Sequence, residues 1–216
     1  MKRTFGVFEA VFDIVYLLCV LVMSILLFSL KELTSVLILA GIMSLVLVLG
    51  DSFHLIPRIM TIFKRNSVNS EQLLGIGKLV SSITMTIFYI LLWHIGLIIF
   101  EFDNYILWTI IFYLLGASRI VLSLLPYNKW KEKEPPYMWG IYRNIPFVIM
   151  GIMIVILFFI NRLAFEPLHN AWLAVLLSFI FYLPVVLFSN KNKKVGMLML
   201  PKSAMYIWLI LMFVLI

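Results

Sequence analysis

Seven apolar runs fill almost the whole chain, each close to or above the roughly 20 residues that carry a helix across about 30 Å of hydrocarbon. They fall at residues 5–30, 33–57, 73–100, 104–126, 138–160, 170–189 and 196–216. Such a chain is expected to be all-α: one polytopic transmembrane bundle of seven helices over residues 1–216, with little left for a soluble domain. Composition agrees. Of the 216 residues, 64% are hydrophobic and 12% charged, where a soluble domain has about half and about a quarter. The first run is too long and too acidic for a cleavable signal peptide, so it is expected to belong to the bundle. Cys19 is the lone cysteine, which leaves no intrachain disulfide.

Orientation follows from the basic residues. With seven spans, the N-terminus and the second, fourth and sixth loops share one side. That side carries Lys2, Arg3, Arg58, Lys64, Arg65, Lys129, Lys131, Lys133, Lys191, Lys193 and Lys194, eleven in all, against Lys31 and Arg162 opposite. Cytoplasmic loops hold the excess of Lys and Arg, so the N-terminus is expected inside and the C-terminus outside a multi-pass protein of the cell membrane. The net charge of +7 is mostly this collar. It suits anionic lipid heads rather than nucleic acid, since no basic–aromatic array accompanies it.

Charges inside the apolar runs are the chemical signal. A charge at bilayer depth costs about 2.5–3.5 kcal/mol on insertion scales and marks a functional site by default. Glu9, Asp13, Asp51, Lys78, Arg119, Arg143 and Lys202 all lie toward the cytoplasmic end. Glu9 and Asp13 are i and i+4, on one helix face. Asp51, His54 and Arg58 follow at i, i+3 and i+7, a single stripe. Lys78 continues into Ser82 and Thr86, and Arg119 into Ser123. Tyr142-Arg143-Asn144 opens the fifth run, and Lys202 with Ser203 and Tyr206 lies low in the seventh. Snorkelling to the interface suits Arg58 and Arg143, which sit near helix ends, but not Lys78, Arg119 and Lys202, a turn or more inside. A structural pair such as Asp51 with Lys78 would absorb part of the set. Five cations nevertheless meet three acids, and that excess points to an anionic guest in a cytoplasm-facing cavity.

Other chemistries fall away. His54 lies near one face of the membrane while His94 and His169 lie near the other, so they share no metal, and no HExxH spacing occurs. This excludes the zinc-dependent seven-helix hydrolases, and no cofactor is expected. Lys202 sits about 10 Å from its helix end at 1.5 Å per residue, too shallow for a mid-membrane Schiff base. No GxSxG, Walker loop or Cys–His pair is present.

The chain also resembles itself. Gly6-Val7-Phe8-Glu9-Ala10-Val11 is similar to Gly140-Ile141-Tyr142-Arg143-Asn144-Ile145. Ser52-Phe53-His54-Leu55-Ile56-Pro57 is similar to Ser178-Phe179-Ile180-Phe181-Tyr182-Leu183-Pro184 with one gap. Each half then carries a lysine, Lys78 or Lys202. Helices one to three would repeat as five to seven in one orientation, the fourth serving as linker, as in small parallel-repeat transporters.

From Leu49 to Trp93 the pattern is Gly50-Asp51 at a helix end, Leu55 and Pro57 soon after, then Gly75-Ile76-Gly77 opening a helix that carries Tyr89. It resembles the lysoplasmalogenase family of polytopic membrane proteins. The family's second half carries a further serine–aspartate pair, where this chain has Leu177-Ser178-Phe179 without an acid. The resemblance implies a lipid-active hydrolase. Cleaving a vinyl ether needs an acid to protonate carbon and a base to activate water, roles open to buried carboxyls. Asp51 would lead, with Glu9, Asp13 or His54 as partner. Arg58, Lys78, Arg119, Tyr142, Arg143, Lys202 and Tyr206 would hold the phosphate-bearing lysolipid. The alternative is a small transporter or receptor for an anionic solute, the cations binding and the acids carrying protons.

Overall fold

The computed structural model describes residues 2–30, 34–63, 70–101, 105–132, 135–189 and 191–216, without the side chains of 2–5, 70, 71 and 193. The loop residues Lys31, Lys64, Arg65 and Lys133, and the side chains of Lys2, Arg3 and Lys193, therefore lie outside the described set. The described chain is all-α. Its helices are α1 (Lys2–Ser29), α2 (Ser35–Phe63), α3 (Ser70–Phe100), α4 (Tyr105–Leu124), α5 (Tyr137–Ile160), α6 (Ala171–Phe188) and α7 (Met199–Val214). Short 3-10 turns at Pro126–Asn128, Glu166–Leu168 and Lys193–Leu198 join the later ones. Seven segments are long and apolar enough to cross a membrane.

α1 and α3 each start three residues before the expected bound, at Lys2 and Ser70, and the bounds that change the reading are the end of α2 and the start of α7. The second run was expected to stop at Pro57, yet α2 continues through it to Phe63. A proline there removes the donor that would satisfy the Phe53 carbonyl. That carbonyl instead faces α3: a Cβ on Gly77 would stand 2.3 Å from the Phe53 oxygen. Glycine lets the backbones close over the break, and neighbouring helices commonly accommodate proline in apolar spans. The last run was expected from residue 196, but a 3-10 turn occupies Lys193–Leu198 and α7 begins at Met199.

The helices form a closed ring. Each packs on its neighbours in sequence, α7 returns to α1, and α3 also reaches α5 across the ring. Large apolar residues cover the outside, among them Phe8, Leu18, Ile106, Leu114 and Ile152, all exposed. A soluble protein would bury such surface; a bilayer supplies its own apolar solvent.

Aromatic residues fill the centre. Tyr89 meets Phe88, Phe147 and Phe179 edge-on with centroids 5.5, 4.9 and 5.7 Å away, and Tyr206 meets Phe88 at 5.5 Å. Gly151 admits the Phe179 ring, which a Cβ there would approach to 2.1 Å. This aromatic layer blocks the ring below the polar half.

Candidate functional site

Above the aromatic layer, at the end where α1 and α3 begin and α2 and α4 finish, the ring opens into a cavity of about 470 Å³. The α2 stripe of Asp51, His54 and Arg58 forms one wall, and Lys78, Ser81 and Ser82 of α3 form the next. Arg119 comes from α4, Arg143, Asn144 and Phe147 from α5, Tyr182 from α6 and Lys202 from α7. Six helices thus converge, α2 to α7; the spacing of the buried charges pointed to α1 in place of α6. Charged residues lining it are Arg58, Lys78, Arg119, Arg143 and Lys202 against Asp51 and Glu132.

Ion pairs account for little of this charge. Among the described residues the salt bridges are Arg58 with Glu9 and Lys129 with Glu132, the latter at 3.1 Å. The expected Asp51–Lys78 pair does not form: Lys78 stands exposed at the mouth, while Asp51 Oδ2 accepts from Tyr16 Oη at 2.7 Å. Ser81 Oγ donates to the Gly50 carbonyl at 3.0 Å and lies 3.4 Å from Asp51 Oδ1. Ser81 reaches α2 because Gly50 lacks a Cβ, which would otherwise stand 1.9 Å from Thr84 Oγ1.

Each deep cation rests on an aromatic ring. Arg119 is 3% exposed, its guanidinium carbon 3.3 Å from the Phe147 centroid. Its Nε and Nη1 are buried without a hydrogen-bond partner among the described residues. A buried guanidinium keeps its charge, and leaving its donors unsatisfied costs several kcal/mol. Lys202, 7% exposed, places Nζ 5.1 Å from the centroids of both Tyr182 and Tyr206. Arg143 lies over Trp130 at 4.2 Å and donates from Nη1 to Asn128 Oδ1 at 2.8 Å.

The loop after α4 is folded to receive Arg143. Asn128 is fully buried, and its amide donates to the carbonyls of Leu122 at 2.5 Å and Leu125 at 3.0 Å. Trp130 Nε1 donates to the Ser123 carbonyl at 2.8 Å. The Trp130 carbonyl sits where a Cβ on Gly75 would be 1.7 Å away, so glycine at the start of α3 admits the loop.

A side chamber of about 40 Å³ lies between α1, α2 and α7 and shares Asp51, His54, Arg58 and Lys202 with the main cavity. Glu9 and Asp13 line this chamber rather than the main cavity. Asp13 Oδ2 and His54 Nδ1 are buried there without a partner among the described residues. The chamber has room for at least one water molecule. The described residues contain no His/Cys/Asp/Glu cluster able to hold a metal.

Two expected site residues are placed elsewhere. Tyr142 is 43% exposed and packs edge-on against Trp139, because one helical step from Arg143 turns it out of the ring. Tyr206, 2% exposed, lies in the aromatic floor with its hydroxyl 3.5 Å from Tyr89 Oη, reaching the site only through the ring beneath Lys202. The sequence reading missed Tyr16, Ser81, Phe147, Tyr182, Asn128 and Trp130. Tyr16 lies i+3 from Asp13 and Ser81 lies i+3 from Lys78, so their faces were legible. The loop residues gave no periodic signal.

No family model, curated protein or solved structure matches the chain. Chemically, the cavity sets Lys78, Lys202 and the two Arg119 donors that lack a partner among the described residues beside one held carboxyl. Such a site can bind an anion and exchange a proton next to it.

Proposed function

We propose that the chain is a multi-pass protein of the cell membrane with its N-terminus and cavity mouth toward the cytoplasm, as the eleven-to-two bias of basic loop residues favours. There it acts as a lipid-active hydrolase of the lysoplasmalogenase type on a phosphate-bearing lysolipid. The observation that carries this reading is Asp51, held by Tyr16 at 2.7 Å, in one cavity with the unpartnered Arg119 guanidinium. The cations would fix the phosphate and Asp51 would serve the reacting bond. Its carboxylic acid gives the proton to the vinyl-ether carbon, breaking O–H and forming C–H. Water adds to the resulting oxocarbenium and returns a proton to the carboxylate. The hemiacetal then collapses to an aldehyde and the freed glycerol hydroxyl. The side chamber beside Asp51 and Asp13 offers a place for that water.

Tyr89, Phe147, Phe179 and Tyr206 close the floor of the cavity, so carriage of an anionic solute would require these rings to part in a second state. Lys78 and Lys202 both line the cavity, which supports a parallel repeat of α1–α3 in α5–α7. The test is aldehyde release from a vinyl-ether lysolipid by purified protein. Release is expected, reduced at least about 100-fold in Asp51→Asn. No release above the protein-free rate would overturn the hydrolase.

A further inference from the structure

The cavity's own cations occupy both kinds of group that an ammonium headgroup would need. A zwitterionic headgroup such as phosphoethanolamine requires a carboxylate or an open aromatic face for its ammonium, besides donors for its phosphate. The carboxylates are engaged: Glu9 with Arg58, Glu132 with Lys129, and Asp51 with the Tyr16 hydroxyl. Asp13 lines the side chamber instead. The aromatic faces are engaged too. Phe147 carries Arg119, Trp130 carries Arg143, and Tyr182 carries Lys202. Tyr137 lines the mouth, 40% exposed, and a single ring makes no cage.

Among the described residues, the groups the cavity leaves open are chiefly donors. Lys78, Arg119, Arg143 and Lys202 have no carboxylate within ion-pairing distance among the described residues; of the two acids lining the main cavity, Glu132 is paired with Lys129, which leaves Asp51 to oppose them. An excess of three positive charges exceeds what a phosphodiester, with one negative charge, can offset. A phosphate monoester carries about −1.5 to −2 at neutral pH and three terminal oxygens. Its oxygens match the Nε and Nη1 donors of Arg119, which have no partner among the described residues.

We infer that the cavity selects a terminal phosphate monoester and disfavours a phosphodiester capped by an ammonium. This rests on the headgroup reading above and narrows it to lysophosphatidate-like substrates. The same chemistry could come from a lipid or from a soluble phosphate ester, and chain length distinguishes the two.

The test is binding without turnover, by calorimetry on protein in uncharged detergent. The probes are oleoyl lysophosphatidate, oleoyl lysophosphatidylethanolamine, glycerol 3-phosphate and inorganic phosphate; the acyl esters carry no vinyl ether. Lysophosphatidate is expected to bind at least about tenfold more tightly than the ethanolamine ester, and Arg119→Met to weaken it about 10- to 100-fold. Arg143→Gln, at a separate helix, should also weaken it and stands in should the first variant fold poorly. Glycerol 3-phosphate binding as tightly as lysophosphatidate would uphold the phosphate selectivity and turn the source to a soluble ester. Equal or tighter binding of the ethanolamine ester, or unchanged affinity in both variants, would overturn the inference even if aldehyde release succeeds. Selective binding with no aldehyde release would retain it and remove the hydrolase.

Discussion

Arg119 and Phe147 face each other at 3.3 Å, and this contact with a ring is what the structure gives a guanidinium that is 3% exposed. A cation–π contact is worth up to about 2 kcal/mol when desolvated, less than the several kcal/mol that burying an ion costs. On this balance Arg119 costs the unliganded protein stability, and the proposed anion is what would offset it.

Stability and binding should thus move in opposite directions. Arg119→Met fills the same space with an apolar chain over Phe147. It is expected to raise the unfolding free energy of the unliganded protein by about 1–3 kcal/mol while losing the anion. Thermal unfolding in detergent reads the first effect. A clear drop in stability would show that the guanidinium already has a partner that holds the bundle together.

Gly77 carries a packing prediction independent of function. Adding a methyl there meets the Phe53 carbonyl at 2.3 Å, and that carbonyl belongs to backbone that cannot swing aside. Gly77→Ala should cost about 1–3 kcal/mol by forcing α2 and α3 apart. Gly196 has nothing within 4 Å of a built Cβ, so Gly196→Ala should change stability by less than about 0.5 kcal/mol. Equal effects of the two would remove close helix approach as the explanation.

Helix number and the inward stripe of Asp51, His54 and Arg58 were readable because both depend on spacing alone. Hydropathy length marks a span, and i, i+3, i+7 marks a face. Arg119, Lys78 and Lys202 came into one cavity with them because charged residues avoid lipid. Partner choice was not readable. Glu9 pairs with Arg58 and leaves Lys78 alone because α1 packs on α2 at that depth, a relation of helix rotation and register that no local pattern encodes. Tyr142 shares a sequence neighbourhood with Arg143 but not its helix face, a distinction that adjacency does not encode. Asn128 and Trp130 were invisible because a loop that wraps a side chain has no period.

Orientation gives a prediction read in intact cells. In a Cys19→Ala background, Thr4→Cys should resist a membrane-impermeant thiol reagent until the membrane is permeabilised, whereas Asp103→Cys should react at once. The reverse pattern would place the cavity mouth outside the cell and make its ligand extracellular.

Asp51 carries the most exposed prediction. Its Oδ2 accepts the hydroxyl of Tyr16, a residue with 0% exposure whose donor has no water to turn to. Asp51→Asn retains an acceptor for that hydroxyl and nearly the same shape, so the fold should persist. It cannot exchange a proton, so aldehyde release should disappear across pH while phosphate binding survives. Asp51→Ala also removes the acceptor and should destabilise by about 1–3 kcal/mol, the cost of an orphaned buried hydroxyl. Tyr16→Phe separates the two roles: it removes the donor to Oδ2, while Ser81 still approaches the carboxyl's other oxygen, Oδ1, at 3.4 Å. Its stability loss should be smaller than that of Asp51→Ala, and its pH–rate profile should shift because Asp51 has lost a hydrogen bond. Wild-type turnover by Asp51→Asn at every pH would take Asp51 out of the chemistry and leave the cation pocket as a binding site alone.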